Sequence, residues 1–139
     1  MKKLIFAIGI LGLFVLSSCN PDLNDLDAVS TIDNIKGKWR AKRYDGDVIT
    51  IYEVEITADP DNANGILITN FFNNGETANA NVVGKTISVP SQDLGGYQVE
   101  GTGTISDDYQ KISWQLTVDG ENVSMDFTPG TVTKFQLSN

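Results

Sequence analysis

Apolar and polar residues alternate along most of this chain, and glycine turns interrupt the alternation. From Ile35 onward the period is two, and no stretch has the apolar spacing of a long amphipathic helix. The interruptions include three dipeptides that are typical of two-residue hairpin turns: Asp45-Gly46, Asn74-Gly75 and Asp119-Gly120. This pattern predicts short antiparallel strands joined by tight hairpins.

Counting outward from each turn predicts which residues face one another. In the first hairpin Trp39 faces Tyr52, and in the third Trp114 faces Met125. In the second hairpin the inward residues of the leading strand are predicted to be Leu67, Thr69 and Phe71.

Two further strands are predicted over residues 85–89 and 97–106. Pro90 cannot donate a ladder hydrogen bond, so it should end its strand or lie at a sheet edge. Gly101 and Gly103 share the inward parity of the second strand, where they permit a sharp bend or leave room for a large ring opposite.

A last strand over residues 131–137 brings the expected total to eight or nine. An antiparallel up-and-down barrel fits such a succession best, because closure removes the exposed edges of a flat sheet. The alternative is a two-sheet β-sandwich. The β-barrel domain is predicted to cover residues 35–139.

The N-terminal 18 residues have the organisation of a secretory signal peptide. Lys2 and Lys3 precede an apolar run over residues 4–16, which is shorter than the roughly 20 residues of a membrane-spanning helix. We therefore exclude residues 1–18 from the fold.

The segment Leu16-Ser17-Ser18-Cys19 resembles the lipobox that lipoprotein signal peptidase cleaves before cysteine. The resemblance implies a diacylglycerol on the Cys19 sulfur and an acyl chain on its amino group, and more than one chain gives stable anchoring. It implies a lipid-anchored protein of the cell envelope, at the outer membrane, with its periplasmic or surface face left open. The alternative is a chance cysteine near an ordinary cleavage site.

Residues 19–34 are predicted to be an acidic tether with room for one helical turn, or alternatively an acidic address for export to the surface. The whole chain has 18 acidic and 10 basic residues, for a net charge of −8. That balance argues against nucleic acid or an anionic bilayer surface as a partner.

The basic residues concentrate between Lys36 and Arg43, where alternate positions share the outward strand face. Lys38 is predicted to lie across from Glu53 as a cross-strand ion pair, which indicates a solvated outer wall. Arg40 and Lys42 face isoleucines instead, so a functional basic patch stays open for these two residues.

The motif Gly37-Lys38-Trp39 resembles the Gly-x-Trp that opens the first strand of lipocalins and other calycin barrels. A broader resemblance, to small and largely uncharacterised Gram-negative lipoproteins with lipocalin-like barrels, rests on residues 68–71, 83–92 and 101–105. It implies a lipocalin-like barrel and no particular activity.

Most catalytic and metal-binding chemistry is missing. There is no histidine, and the one cysteine is assigned to lipid, so the common bases, nucleophiles and metal ligands are lacking. A faint calcium-loop pattern over residues 59–65 fails because Ala63 occupies a ligand position. We expect no enzyme activity, no cofactor and no metal.

Two functions remain. One is binding of a small apolar or amphipathic ligand inside the barrel, against the alternative that the same aromatic residues are simply core. The predicted interior residues for that ligand are Trp39, Tyr52, Phe71, Tyr97, Trp114 and Met125. The other is a protein-interaction or structural module of the envelope. It is suggested by predicted outward apolar residues, namely Ile49, Ile51, Ile66, Ile68 and Phe72.

Overall fold

The computed structural model describes residues 20–131, with side chains from Ala28 onward. The predicted signal peptide, Cys19 and most of the predicted last strand lie outside these residues. Within residues 20–131, one helix, α1 (Asn20–Ile35), precedes eight strands. The strands are β1 (Gly37–Asp45), β2 (Val48–Ala58), β3 (Gly65–Thr69), β4 (Thr77–Val83), β5 (Thr86–Leu94), β6 (Tyr97–Ile105), β7 (Ile112–Val118) and β8 (Glu121–Pro129).

The strands form a closed antiparallel barrel in sequence order, in which β1 pairs with both β2 and β8. Each strand therefore has two hydrogen-bonded neighbours, and the described barrel presents no open edge. The up-and-down barrel predicted from the alternation is confirmed, and the sandwich alternative is wrong.

The third hairpin has the predicted register. Trp114 pairs with Met125 and Ile112 with Phe127, because the chain turns at Asp119-Gly120 as that dipeptide predicts.

The first hairpin keeps the predicted faces but moves its register by two residues. Asp45 pairs with Val48, so the turn falls on Gly46-Asp47, and Trp39 lies opposite Val54 instead of Tyr52. A shift of two leaves every side chain on its predicted face, since the side-chain period of a strand is also two.

The second hairpin differs more strongly. β3 ends at Thr69, and Asn70 adopts a left-handed conformation with φ of 62° at the start of a longer connection. Ile66 and Ile68 point inward with 0% exposure, so the predicted inward set of Leu67 and Thr69 is wrong. The predicted outward position of Phe72 is wrong as well, because its ring is buried.

Proline and glycine shape β5 and β6. Pro90 lies at a bulge between Val89 and Gln92, and the strand continues beyond it instead of ending. Gly103 pairs with Trp114, which confirms that the missing side chain leaves room for a ring opposite.

Helix α1 is 16 residues long, where the sequence predicts a tether with one turn. Ala28, Ile32 and Ile35 are buried, and they recur at the spacing of one helix face. The Trp39 indole donates a hydrogen bond from Nε1 to the Ile35 carbonyl at 2.8 Å, which ties the helix to β1. No helix among residues 20–131 is long and apolar enough to cross a membrane.

The barrel has two unlike ends. We call the end where β1 begins, beside α1, the helix end, and the opposite end, with the turns at 46–47, 70–76, 95–96 and 119–120, the distal end.

Candidate functional site

Aromatic side chains fill the centre of the barrel. The ring centroid of Phe71 lies 5.1 Å from that of Trp114 and 6.1 Å from that of Phe127, both in edge-to-face geometry. The centroids of Trp114 and Phe127 are 5.2 Å apart. These spacings are typical of aromatic pairs that stabilise a core.

Tyr52 supplies a polar group inside this core. Its hydroxyl donates to the Phe71 carbonyl at 2.8 Å and lies 3.2 Å from the Met125 sulfur. Burial raises the pKa of the Tyr52 hydroxyl well above its ordinary range, although the nearby Arg43 guanidinium opposes the shift. The hydroxyl is therefore a neutral hydrogen-bond donor that ties the backbone at Phe71 to strand β2.

Five of the six predicted interior residues thus belong to one packed core, and the structure brings them together. They are Trp39, Tyr52, Phe71, Trp114 and Met125. The Trp114 Nε1–H is buried and has no hydrogen-bond acceptor among the described residues. A ligand inside the barrel stays a prediction.

Tyr97 is the exception, and its predicted interior position is wrong. It is the first residue of β6 and is 46% exposed, whereas Val99, two positions further, is the first buried residue of that strand. Its ring centroid lies 5.5 Å from that of Phe72 at the distal end. The alternation of the strand correctly predicts that Tyr97 is on the inward face of β6, but the buried core ends before it reaches this first residue of the strand.

A cavity of about 410 Å³ opens at the distal end beside these two rings, and we call it the distal mouth. Its apolar lining comes from rings and valines, and its polar lining is mostly acidic. The lining residues are Arg43, Asp45, Phe72, Tyr97, Val118, Asp119, Glu121 and Val123.

Three contacts hold Arg43 in the lining of this mouth. Its guanidinium carbon lies 4.4 Å from the centroid of Phe72, Nη1 donates to the Phe72 carbonyl at 3.1 Å, and Nε donates to Asp45 at 2.8 Å. Cation–π contact and a fixed planar fork make such an arginine a preorganised recognition group.

Exposed apolar side chains lie at the distal end. Tyr97 lines the distal mouth, whereas Val48, 62% exposed, and Ile49, 52% exposed, lie beside the β1–β2 turn outside its lining. The mouth itself contains three carboxylates, of Asp45, Asp119 and Glu121, against the one guanidinium. Its chemistry is therefore apolar with an acidic rim.

Arg43 was not predicted as a site residue because it ends a run of basic residues whose alternate members face outward. A signal was present, since Arg43 has the inward parity of Trp39 and Ala41. A cation on the inward face of a barrel strand needs a hydrogen-bonding or charged partner. When the strand position is close to a turn, that partner is expected among the residues at the same end of the barrel.

No group of three or more histidine, cysteine or acidic side chains within the described part of the chain is placed to hold a metal ion.

Comparisons with known proteins give the fold alone. No protein-family model matches the chain. No curated protein sequence matches it either. Among solved structures, a redesigned beta barrel aligns with a TM-score of 0.51 and 14% identity, over 72% of this chain and 95% of that chain.

Proposed function

We propose that this chain is a lipid-anchored lipoprotein of the bacterial cell envelope, with a lipocalin-like barrel, that acts as a protein-interaction module. Its distal mouth binds a protein segment that carries a basic residue and apolar neighbours. The observation that carries the proposal is the distal mouth itself, where the exposed Tyr97 ring, Arg43 and three carboxylates line one cavity.

The composition of the distal end supports binding of a protein. Interfaces are enriched in tyrosine, phenylalanine and arginine, and a few such residues carry most of the binding energy. At the mouth the Phe72 ring contacts both Tyr97 and Arg43. Because Asp119 and Glu121 line the same cavity, a lysine or arginine of the partner fits it with its stem on Tyr97 and its charge at the carboxylates.

A lipid anchor on Cys19 would reach the barrel through α1. Cys19 immediately precedes α1, and the C-terminal end of α1 is tied to β1 at the helix end by the Trp39–Ile35 hydrogen bond. The helix therefore joins the barrel at the end opposite the distal mouth.

Site-specific photocross-linking in intact cells tests the interaction. A photoreactive residue replaces Val48 or Tyr97 at the distal end, and Val83, which is 73% exposed at the helix end, is the matched control. The same adduct from both distal positions and none from Val83 is expected. Equal labelling from Val83, or no distal adduct, would contradict the proposal.

Charge neutralisation identifies the basic character of the partner. Glu121→Gln removes a carboxylate of the mouth and should weaken cross-linking and make it less sensitive to salt. Glu100→Gln, an exposed position on β6 outside the mouth, is the control and should change neither.

The anchor has its own test. Mass spectrometry of the mature N-terminus from the membrane fraction should find Cys19 as the first residue, carrying acyl chains. Cys19→Ala should release the chain from that fraction, and an unmodified Cys19 in membranes would contradict lipidation.

A further inference from the structure

A second cavity, of about 430 Å³, lies on the outer wall of the barrel, and we call it the outer cleft. It runs over β1, between β2 and β8, away from the distal mouth. Its lining residues are Arg40, Lys42, Tyr44, Ile51, Lys111, Asp126 and Thr128.

The outer cleft is basic in a chain whose net charge is −8. Three cationic side chains line it, and Asp126 is its one carboxylate. That carboxylate already has partners, because the Tyr44 hydroxyl donates to it at 3.2 Å and Lys111 Nζ lies 3.9 Å from it.

Arg40 and Lys42 form no ion pair within the described residues. Arg40 Nη2 donates to the Thr128 hydroxyl at 3.3 Å, and Lys42 Nζ lies 5.5 Å from the centroid of the Tyr44 ring. The carboxylate opposite Arg40 on β2 is Glu53, which instead bonds Lys38 at 3.3 Å. On β8 the residue opposite Lys42 is Asp126, but within the described residues neither Arg40 nor Lys42 forms an ion pair with that carboxylate.

The cleft also offers apolar surface beside these charges. Ile51 pairs directly with Lys42, and the Tyr44 ring lies two positions along β1. A guanidinium recognises phosphate oxygens through two parallel hydrogen bonds, and an ammonium adds a point charge. The volume is in the range of small-molecule sites.

We propose that the outer cleft binds a small organic phosphate, with the dianionic phosphate between Arg40 and Lys42 and an apolar body on Ile51 and Tyr44. This site shares no residue with the distal mouth, so it stands or fails independently of the protein interaction.

Calorimetric titration of the full chain in neutral detergent tests the site with phenyl phosphate as the probe. Saturable binding is expected, and Arg40→Gln or Lys42→Met should each weaken it by about tenfold or more. Lys38→Met is the matched control, since Lys38 lies on the same strand face but outside the cleft, and it should change the affinity less than about twofold.

Two further probes separate the contribution of the phosphate charge from that of the apolar ring. Phenyl glucoside lacks the charge and inorganic phosphate lacks the ring, and both should bind at least about tenfold more weakly than phenyl phosphate. Equal binding of either probe, an equal loss in Lys38→Met, or no saturable binding of phenyl phosphate would overturn the proposal. Unchanged circular dichroism of each variant separates loss of the site from loss of the fold.

Discussion

Gly103 and Trp114 are paired across β6 and β7, and the indole occupies the space where a side chain on Gly103 would stand. A Cβ added there would lie 2.8 Å from both Cε3 and Cζ3 of Trp114. Gly103→Val should therefore destabilise the barrel by about 1–3 kcal/mol, measured by urea unfolding.

The neighbouring Thr102→Val is the control for this substitution. Thr102 is exposed on the outer face of β6, so the change should stay within about 0.5 kcal/mol. A double-mutant cycle with Trp114→Leu should recover part of the cost of Gly103→Val, because the smaller side chain makes room. Fully additive effects would show that the indole is not the obstacle.

Gly101→Ala should cost more than Gly103→Ala. The added Cβ at Gly101 would lie 2.3 Å from the Gln115 carbonyl oxygen, and the residue has φ of 152°, which side-chain-bearing residues rarely adopt. Atoms of a side chain can shift at lower cost than a ladder carbonyl, which cannot move without breaking the sheet. Urea midpoints of the two variants give the order, and the reverse order would refute this reasoning.

Tyr52→Phe should lower the free energy of unfolding by about 1 kcal/mol, because the Phe71 carbonyl loses its buried hydroxyl donor. Tyr97→Phe is the matched control, since that ring is half exposed and its hydroxyl makes no hydrogen bond within residues 28–131. Equal losses in the two variants would contradict a structural role for the Tyr52 hydroxyl.

The same residue predicts a loss of stability in alkali. Since burial raises the pKa of Tyr52 in the folded state, the native protein holds this proton after the unfolded chain has released it. The contribution is fully present below the unfolded pKa of about 10 and decreases as pH rises above it. Urea unfolding from neutral to alkaline pH should show a smaller decline for Tyr52→Phe than for the wild type.

Arg43→Met should loosen the distal end. The substitution keeps an unbranched stem but removes the bond to the Phe72 carbonyl and the charge above its ring. Hydrogen exchange of the 70–76 connection should accelerate, while exchange at the helix end stays unchanged. Arg40→Met, on the outer face of the same strand, should leave both ends unaffected.

The register of a hairpin was predictable where the turn chemistry was unambiguous. Asp119-Gly120 fixes the register of β7 and β8, and the inward set of that hairpin follows from alternation alone. The first hairpin shows the limit, because both Asp45-Gly46 and Gly46-Asp47 can form two-residue turns. The structure forms the second of these turns.

β3 could not be predicted from its turn dipeptide. Asn70 bends the chain with a positive φ and Phe71 returns to the core, so the parity of the strand does not continue through the connection. The helix was missed for another reason. Among residues 28–35, the buried apolar residues Ala28, Ile32 and Ile35 are too few to stand out beside scattered acids, although they keep helical spacing.

The candidate sites depend on such long-range placement. Tyr97 was recognised as an inward residue, yet only the depth of the core shows that it stands at the rim. Arg43 reaches its place through contact with Phe72, a residue 29 positions away, and no local pattern predicts that contact.

The seam between β1 and β8 is held partly by the Gly130 N–H, which donates to the Lys38 carbonyl at 3.2 Å. Seven of the eight ladders join neighbours in sequence, and this seam alone joins the two termini of the barrel. The strands therefore form a ring. Their order around this ring would stay the same if the chain were opened at another turn and a short linker joined the two present ends of the barrel. A circular permutant opened at Gly46 would keep every ladder of the barrel while moving α1 to the interior of the chain.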